Sequence, residues 1–84
     1  SERVMIEQLD PGTRWANRRV EGGEEILVLD GSLNYGDTSC TAMTWLRMPQ
    51  GHEQAITSLV GCRYWVKRGH LPARSSAIHG SKTR

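Results

Sequence analysis

A chain of 84 residues with a formal net charge of +2 makes one small domain, burying only about 60 to 65% of the surface that its unfolded form exposes, so its stability is modest. Two cysteines, Cys40 and Cys62, are too few for a disulfide scaffold and too far apart in sequence for a zinc knuckle; buried free thiols are expected, with a bridge across a sheet left open. No window approaches the ~20 apolar residues of a membrane span and no basic-then-apolar leader is present, so a cytoplasmic protein with no membrane partner is expected, and so small a charge calls for no nucleic-acid partner.

Residues 2–9 read as a first strand, ended by Asp10-Pro11-Gly12, where proline fixes φ and glycine permits the turn. Residues 13–20 form a second extended segment. Gly22-Gly23 then supplies the positive φ of a tight reversal into a strand over 24–29, and Asp30-Gly31 reads as a hairpin turn into 32–35. After a polar loop opened by Gly36-Asp37, strand character resumes over 41–48, with Met43, Trp45 and Arg47 on one face and Thr44, Leu46 and Met48 on the other. Pro49-Gln50-Gly51 breaks it. Residues 54–58 form a short strand, and the last clear strand covers 61–68, with Cys62, Tyr64 and Val66 facing away from Arg63, Trp65 and Lys67 before Gly69 closes it.

Short strands separated by glycine and proline turns, with no helical period, predict an all-β domain over residues 1–71: a small antiparallel barrel or two-sheet jelly roll, since closing or doubling a sheet is how short strands bury an apolar face. Residues 72–84 read as a basic, polar C-terminal tail. No acidic residue follows Glu53, whereas Arg63, Lys67, Arg68, Arg74, Lys82 and Arg84 do, a run expected to lie on a solvated edge or tail. A tail that contacts nucleic acid or an acidic protein would show strongly salt-dependent binding. Unpaired sheet edges give a reason to expect a homodimer.

Adjacent strand residues face opposite ways, so of Glu24 and Glu25 one points into the domain and the other out; they cannot act as a carboxylate dyad. The inward carboxylate needs a partner. Glu25 is expected to pair with a surface arginine such as Arg47 or Arg63. Trp45 and Trp65 are candidates for lining a pocket, with core packing or a subunit contact as the alternative in a chain without phenylalanine.

These turns and carboxylates resemble the cupin superfamily and, within it, the small cupins related to the C-terminal domain of the ChrR anti-sigma factor. Gly12, Glu24 and Gly31 keep the spacing of the first cupin motif, with Arg18 and Val20 at its two histidine positions. Pro49-Gln50-Gly51 keeps the core of the second motif, with Met43 in place of its glycine, Gln54 of its histidine and Ser58 of its asparagine. The resemblance implies a cupin jelly roll whose metal-site positions are Arg18, Val20, Glu24 and Gln54.

Catalytic cupins hold a divalent metal with three histidines and a glutamate, a donor set suited to borderline metals. Here only Glu24 is kept: a guanidinium has no lone pair to give, valine has no donor atom, and an amide oxygen is a weak ligand. The expectation is therefore a degenerate site without metal, in which Arg18 balances Glu24 and Gln54 completes the hydrogen bonding. Such a domain would bind a small organic or anionic ligand, or serve a regulatory or structural purpose. The alternative is a dioxygenase- or isomerase-type enzyme with a weak, rearranged site for a divalent transition metal. His52, two residues before Gln54, is a further candidate for that pocket; His70 and His79 fall on no ligand position. No Gly-x-Ser-x-Gly elbow is present, and no catalytic residue is expected.

Overall fold

The computed structural model describes residues 3–19, 21–51, 53–69 and 77–79; for residues 17–19, 53 and 77–79 it describes the backbone. They form nine strands and, among the described residues, no helix: β1 (Arg3–Leu9), β2 (Thr13–Arg19), β3 (Glu24–Gly31), β4 (Leu33–Tyr35), β5 (Thr38–Cys40), β6 (Trp45–Met48), β7 (Glu53–Ser58), β8 (Cys62–Arg68) and β9 (Ala77–His79). No helix among them is long and apolar enough to cross a membrane.

Two antiparallel sheets result, a five-stranded one in the order β1-β8-β3-β6-β9 and a four-stranded one in the order β2-β7-β4-β5. Among the described residues no strand pairs from one sheet to the other, so the barrel expected as one option is not closed; the domain is a two-sheet sandwich. The alternation of β3 and β8 turns Ile26, Val28, Tyr64 and Val66 inward, where they are fully buried with Leu33, Leu46 and Ile56 from the facing elements. Burying each contributes about 1.5 to 3 kcal/mol. Both cysteines are free and buried, as expected of them.

The tryptophans are not the core. Trp45 and Trp65 are half-buried because their strand positions face outward, Trp15 is exposed on the edge strand β2 although it pairs with the buried Ile56, and aliphatic residues with Tyr35 and Tyr64 fill the interior.

Asp30-Gly31 is not a hairpin. Strand β3 runs on through Gly31, paired with Cys62, after a bulge between Val28 and Asp30, and the chain then crosses into the other sheet at Ser32, whose N–H donates to the Gly61 carbonyl at 3.1 Å. The tight hairpin lies instead at Gly36-Asp37, where Tyr35 pairs with Thr38 and β5 follows. The strand expected from residue 41 starts only at Trp45, because Met43 sits at φ 71° in a turn closed by Thr44 N–H to the Thr41 carbonyl. Within the segment read as a tail, β9 adds to the edge of β6 by pairing Ala77 with Arg47, Ile78 with Leu46 and His79 with Trp45.

Short connections set which strand ends lie together. The Gly22-Gly23 turn (φ 78° and 76°) joins β2 to β3, and Pro49 to Gly51 leads from β6 towards β7. The end of β2, the start of β3, the end of β6 and the start of β7 therefore share one end of the sandwich, and the register of Glu24 with Arg68 adds the end of β8.

Candidate functional site

At that end the interior turns polar. Glu24 opens β3 with its side chain inward and is 1% exposed, while Glu25 faces out, as the alternation requires. Directly across the ladder from Glu24 stands Arg68, the last residue of β8, on the same inner face as Tyr64 and Val66. Its Nε donates to Glu24 Oε2 at 3.1 Å. Its two terminal nitrogens grip Glu7, from β1, with Nη1 at 2.7 Å from Oε2 and Nη2 at 2.8 Å from Oε1. The Tyr64 hydroxyl also donates to Glu7 Oε1, at 2.8 Å, and the Met5 sulfur lies 4.0 Å from Arg68 Nη1. One planar guanidinium thus holds two carboxylates through three hydrogen bonds, a geometry that the fork of arginine suits and a lysine does not.

The electrostatics follow from the contacts. The hydrogen bonds to Glu7 push the Arg68 pKa further up, against the opposing pull of burial, and the charges of Glu24 and Glu7 add to the rise. Burial, followed by the hydrogen bond to Glu7, pushes the Tyr64 phenol above its ordinary range, so it remains a neutral donor. With the Arg68 side chain only 14% exposed, these pairs are shielded from the screening that weakens surface ion pairs.

Arg68 is the residue that sequence reasoning misses: it belongs to the basic run read as solvated. The signal is the parity of β8, since residues 62, 64, 66 and 68 share the buried face. For Arg18 the backbone register places it directly opposite Gln54 in the β2–β7 ladder, after a bulge between Trp15 and Arg18. Its side chain lies outside the described residues, as do Val20 and His52 altogether. Gln54 is half-buried on the parity of Ile56 and Ser58, and its carboxamide rests on the Gly36 turn, where an added Cβ would fall 2.4 Å from Oε1. Trp45 and Trp65 lie on the outer face of the five-stranded sheet, in a groove of about 390 Å³ that Ile6, Glu25, Leu27 and Leu29 complete. They share Glu25's face rather than that of Glu24, so they do not border the polar interior. In register, Glu25 stands between Arg47 on β6 and Lys67 on β8.

A divalent cation fits these described donors poorly. A fixed positive charge already occupies the neighbourhood of the Glu24 carboxylate, and among the described residues no three of His, Cys, Asp or Glu gather into a ligand set.

The two-sheet antiparallel sandwich, with an inward glutamate opening its third strand, is consistent with a cupin-like fold. The profile of the ChrR cupin-like domain matches residues 1–72, and the chain belongs to that family. Among solved structures, a conserved protein of unknown function from Streptococcus pyogenes is similar in fold, with a TM-score of 0.67 at 13% identity over 88% of this chain and 67% of that one. No curated protein matches the chain.

Proposed function

We propose that this domain is a cupin whose metal has been replaced by a guanidinium, serving as a metal-free small-molecule-binding or regulatory module rather than as an enzyme. The observation that carries the reading is the 3.1 Å contact of Arg68 Nε with Glu24 Oε2, at the position where the family pattern places the metal-binding glutamate. An ion there would have to displace or face a cation that the Glu7 carboxylate anchors from behind. The ligand class proposed for this end is a small organic or anionic molecule, with the Gln54 carboxamide as both donor and acceptor where the backbone of Arg18 stands opposite it in the β2–β7 ladder.

Elemental analysis of the purified protein tests the reading, with less than one tenth of an equivalent of iron, manganese, nickel or zinc expected on the order of a blank. Stoichiometric metal, retained through dialysis against a weak chelator, would overturn it in favour of a metal-dependent dioxygenase or isomerase. A thermal-shift screen of small carboxylates and phosphates tests the ligand class: a hit should raise the melting temperature with concentration, and the rise should vanish in Arg68→Lys.

A further inference from the structure

On the outer face of the five-stranded sheet, four apolar side chains stand in one cross-strand row. Ile6 on β1 is in register with Trp65 on β8, Trp65 with Leu27 on β3, and Leu27 with Trp45 on β6. With Leu29 and Glu25 they line the groove of about 390 Å³, and Ile6 is 55% exposed at its β1 end. Trp65 and Trp45 flank Leu27 from the two neighbouring strands, so their backbones run about 9.5 Å apart, twice the strand spacing. A flat ring in van der Waals contact with an indole on each of its faces needs about 7 to 8 Å between the two indoles. Leu27 sets the floor of such a slot.

The polar groups around the slot decide the sign of what it takes. The next row along the strands holds Lys67, Glu25 and Arg47 in register. Glu25 and Lys67 are already engaged. Among the described residues the exposed Arg47 makes no ion pair and the Trp65 indole N–H no hydrogen bond. The groups left to meet a ligand are therefore donors, and the cationic one stands two residues along β6 from Trp45. This face carries Arg47, Lys67 and Arg63 against Glu25 and, in register with Arg63, Asp30, so its excess charge is positive; that disfavours a second copy of the same face and favours an anion.

We propose that this groove binds a planar aryl carboxylate, its ring stacked between Trp45 and Trp65 over Leu27 and its carboxylate turned to Arg47. Stacking supplies the affinity, and the charge-assisted hydrogen bond selects the anion. The site is separate from the polar end, whose Glu24 and Arg68 lie on the inner face of the same sheet.

Two-dimensional proton–nitrogen NMR of the 84-residue protein reads the groove directly, because the three tryptophans give three indole N–H signals and Trp15 belongs to the other sheet. Titration with naphthoate should move the Trp45 and Trp65 signals saturably, with a Kd of about 0.1 to 1 mM, and leave Trp15 in place. Naphthamide, the neutral analogue, should bind about three- to tenfold more weakly, and Arg47→Gln should erase that preference. Trp45→Leu should abolish the saturable movement of the Trp65 signal while the rest of the spectrum stays folded, since Trp45 is only half-buried. Movement that does not saturate, or that affects Trp15 equally, overturns the proposal. So does tighter binding of naphthylmethylammonium, which would make Glu25 the counter-ion. Trp45 and Trp65 signals that respond to protein dilution but not to naphthoate would also overturn it, with a second copy filling the groove. A thermal shift from naphthoate without movement of either signal would place its site at the polar end and overturn the groove alone.

Discussion

Arg68 is where one residue decides the most. Its guanidinium stands between two carboxylates, so removing it takes a cation from the buried Glu24 and the half-buried Glu7 together, whereas shortening it to lysine keeps a charge but only one direction of bonding. Arg68→Leu should therefore lower unfolding free energy by about 3 to 5 kcal/mol in urea titrations, and Arg68→Lys by clearly less. An effect below about 1 kcal/mol for Arg68→Leu would mean that other groups neutralise Glu24 and Glu7. Cys62 offers a pH-dependent check. Burial, with the charges of Cys40 and Asp30 behind it, pushes its pKa from 9.0 up to about 11. A pKa raised in the folded state means stability that is whole below pH 9 and lost as pH rises towards 11. At pH 8 a thiol held about two units higher exposes about 100-fold less thiolate, so disulfide reagents should label it far more slowly than in denatured protein. Cys62→Ala should flatten the alkaline loss. At this scale the sequence makes Glu24 legible, because alternation and the motif spacing both turn it inward. It conceals the partner: Arg68 lies 44 residues away, and only the β3–β8 register, which no local pattern specifies, brings the two together.

Among elements, the crossing at Gly31 depends on close backbone approach rather than on turn chemistry. An added Cβ would fall 2.2 Å from the Gly61 carbonyl oxygen, at φ 76°, so Gly31→Ala meets a steric clash and a left-handed backbone together. Gly51 has a comparable φ of 89° with open space around it, which isolates the conformational term. Gly51→Ala should cost about 1 to 2 kcal/mol and Gly31→Ala distinctly more, as melting temperatures of the pair would show; equal losses would mean that the crossing loop relaxes. The same position explains a misreading. Asp-Gly after an apolar run is a hairpin signal locally, and nothing local distinguishes a hairpin from a step between sheets, where the following strand finds its partners in β5 and β7 instead of β3. Strands with strong alternation are legible: β8 to within one residue, and β3 at its start, with its end two residues beyond the expected Leu29. The three-residue strands β5 and β9 are not, since Thr38–Cys40 and Ala77–His79 are too short to carry a period.

Across the whole molecule, the apolar core and the polar end are both held by strands that lie within residues 3–68, and the family match ends at residue 72. Among the described residues strand β9 pairs with β6 alone, through three register pairs, while β6 keeps β3 on its other side. The domain should therefore fold without it. A chain ending at residue 72 is expected to keep its β-rich circular dichroism and cooperative melting, with a loss of about 1 to 2 kcal/mol, or roughly 5 to 15 °C in melting temperature for a domain of this size. It should also keep the Arg68 effect, since Glu7, Glu24 and Tyr64 all remain. A shortened chain that fails to melt cooperatively would place the last strand among the elements on which the sandwich depends. One that melts normally but loses the response to Arg68→Leu would tie the polar end to residues beyond 72, and with it the choice between a regulatory pocket and a structural ion pair.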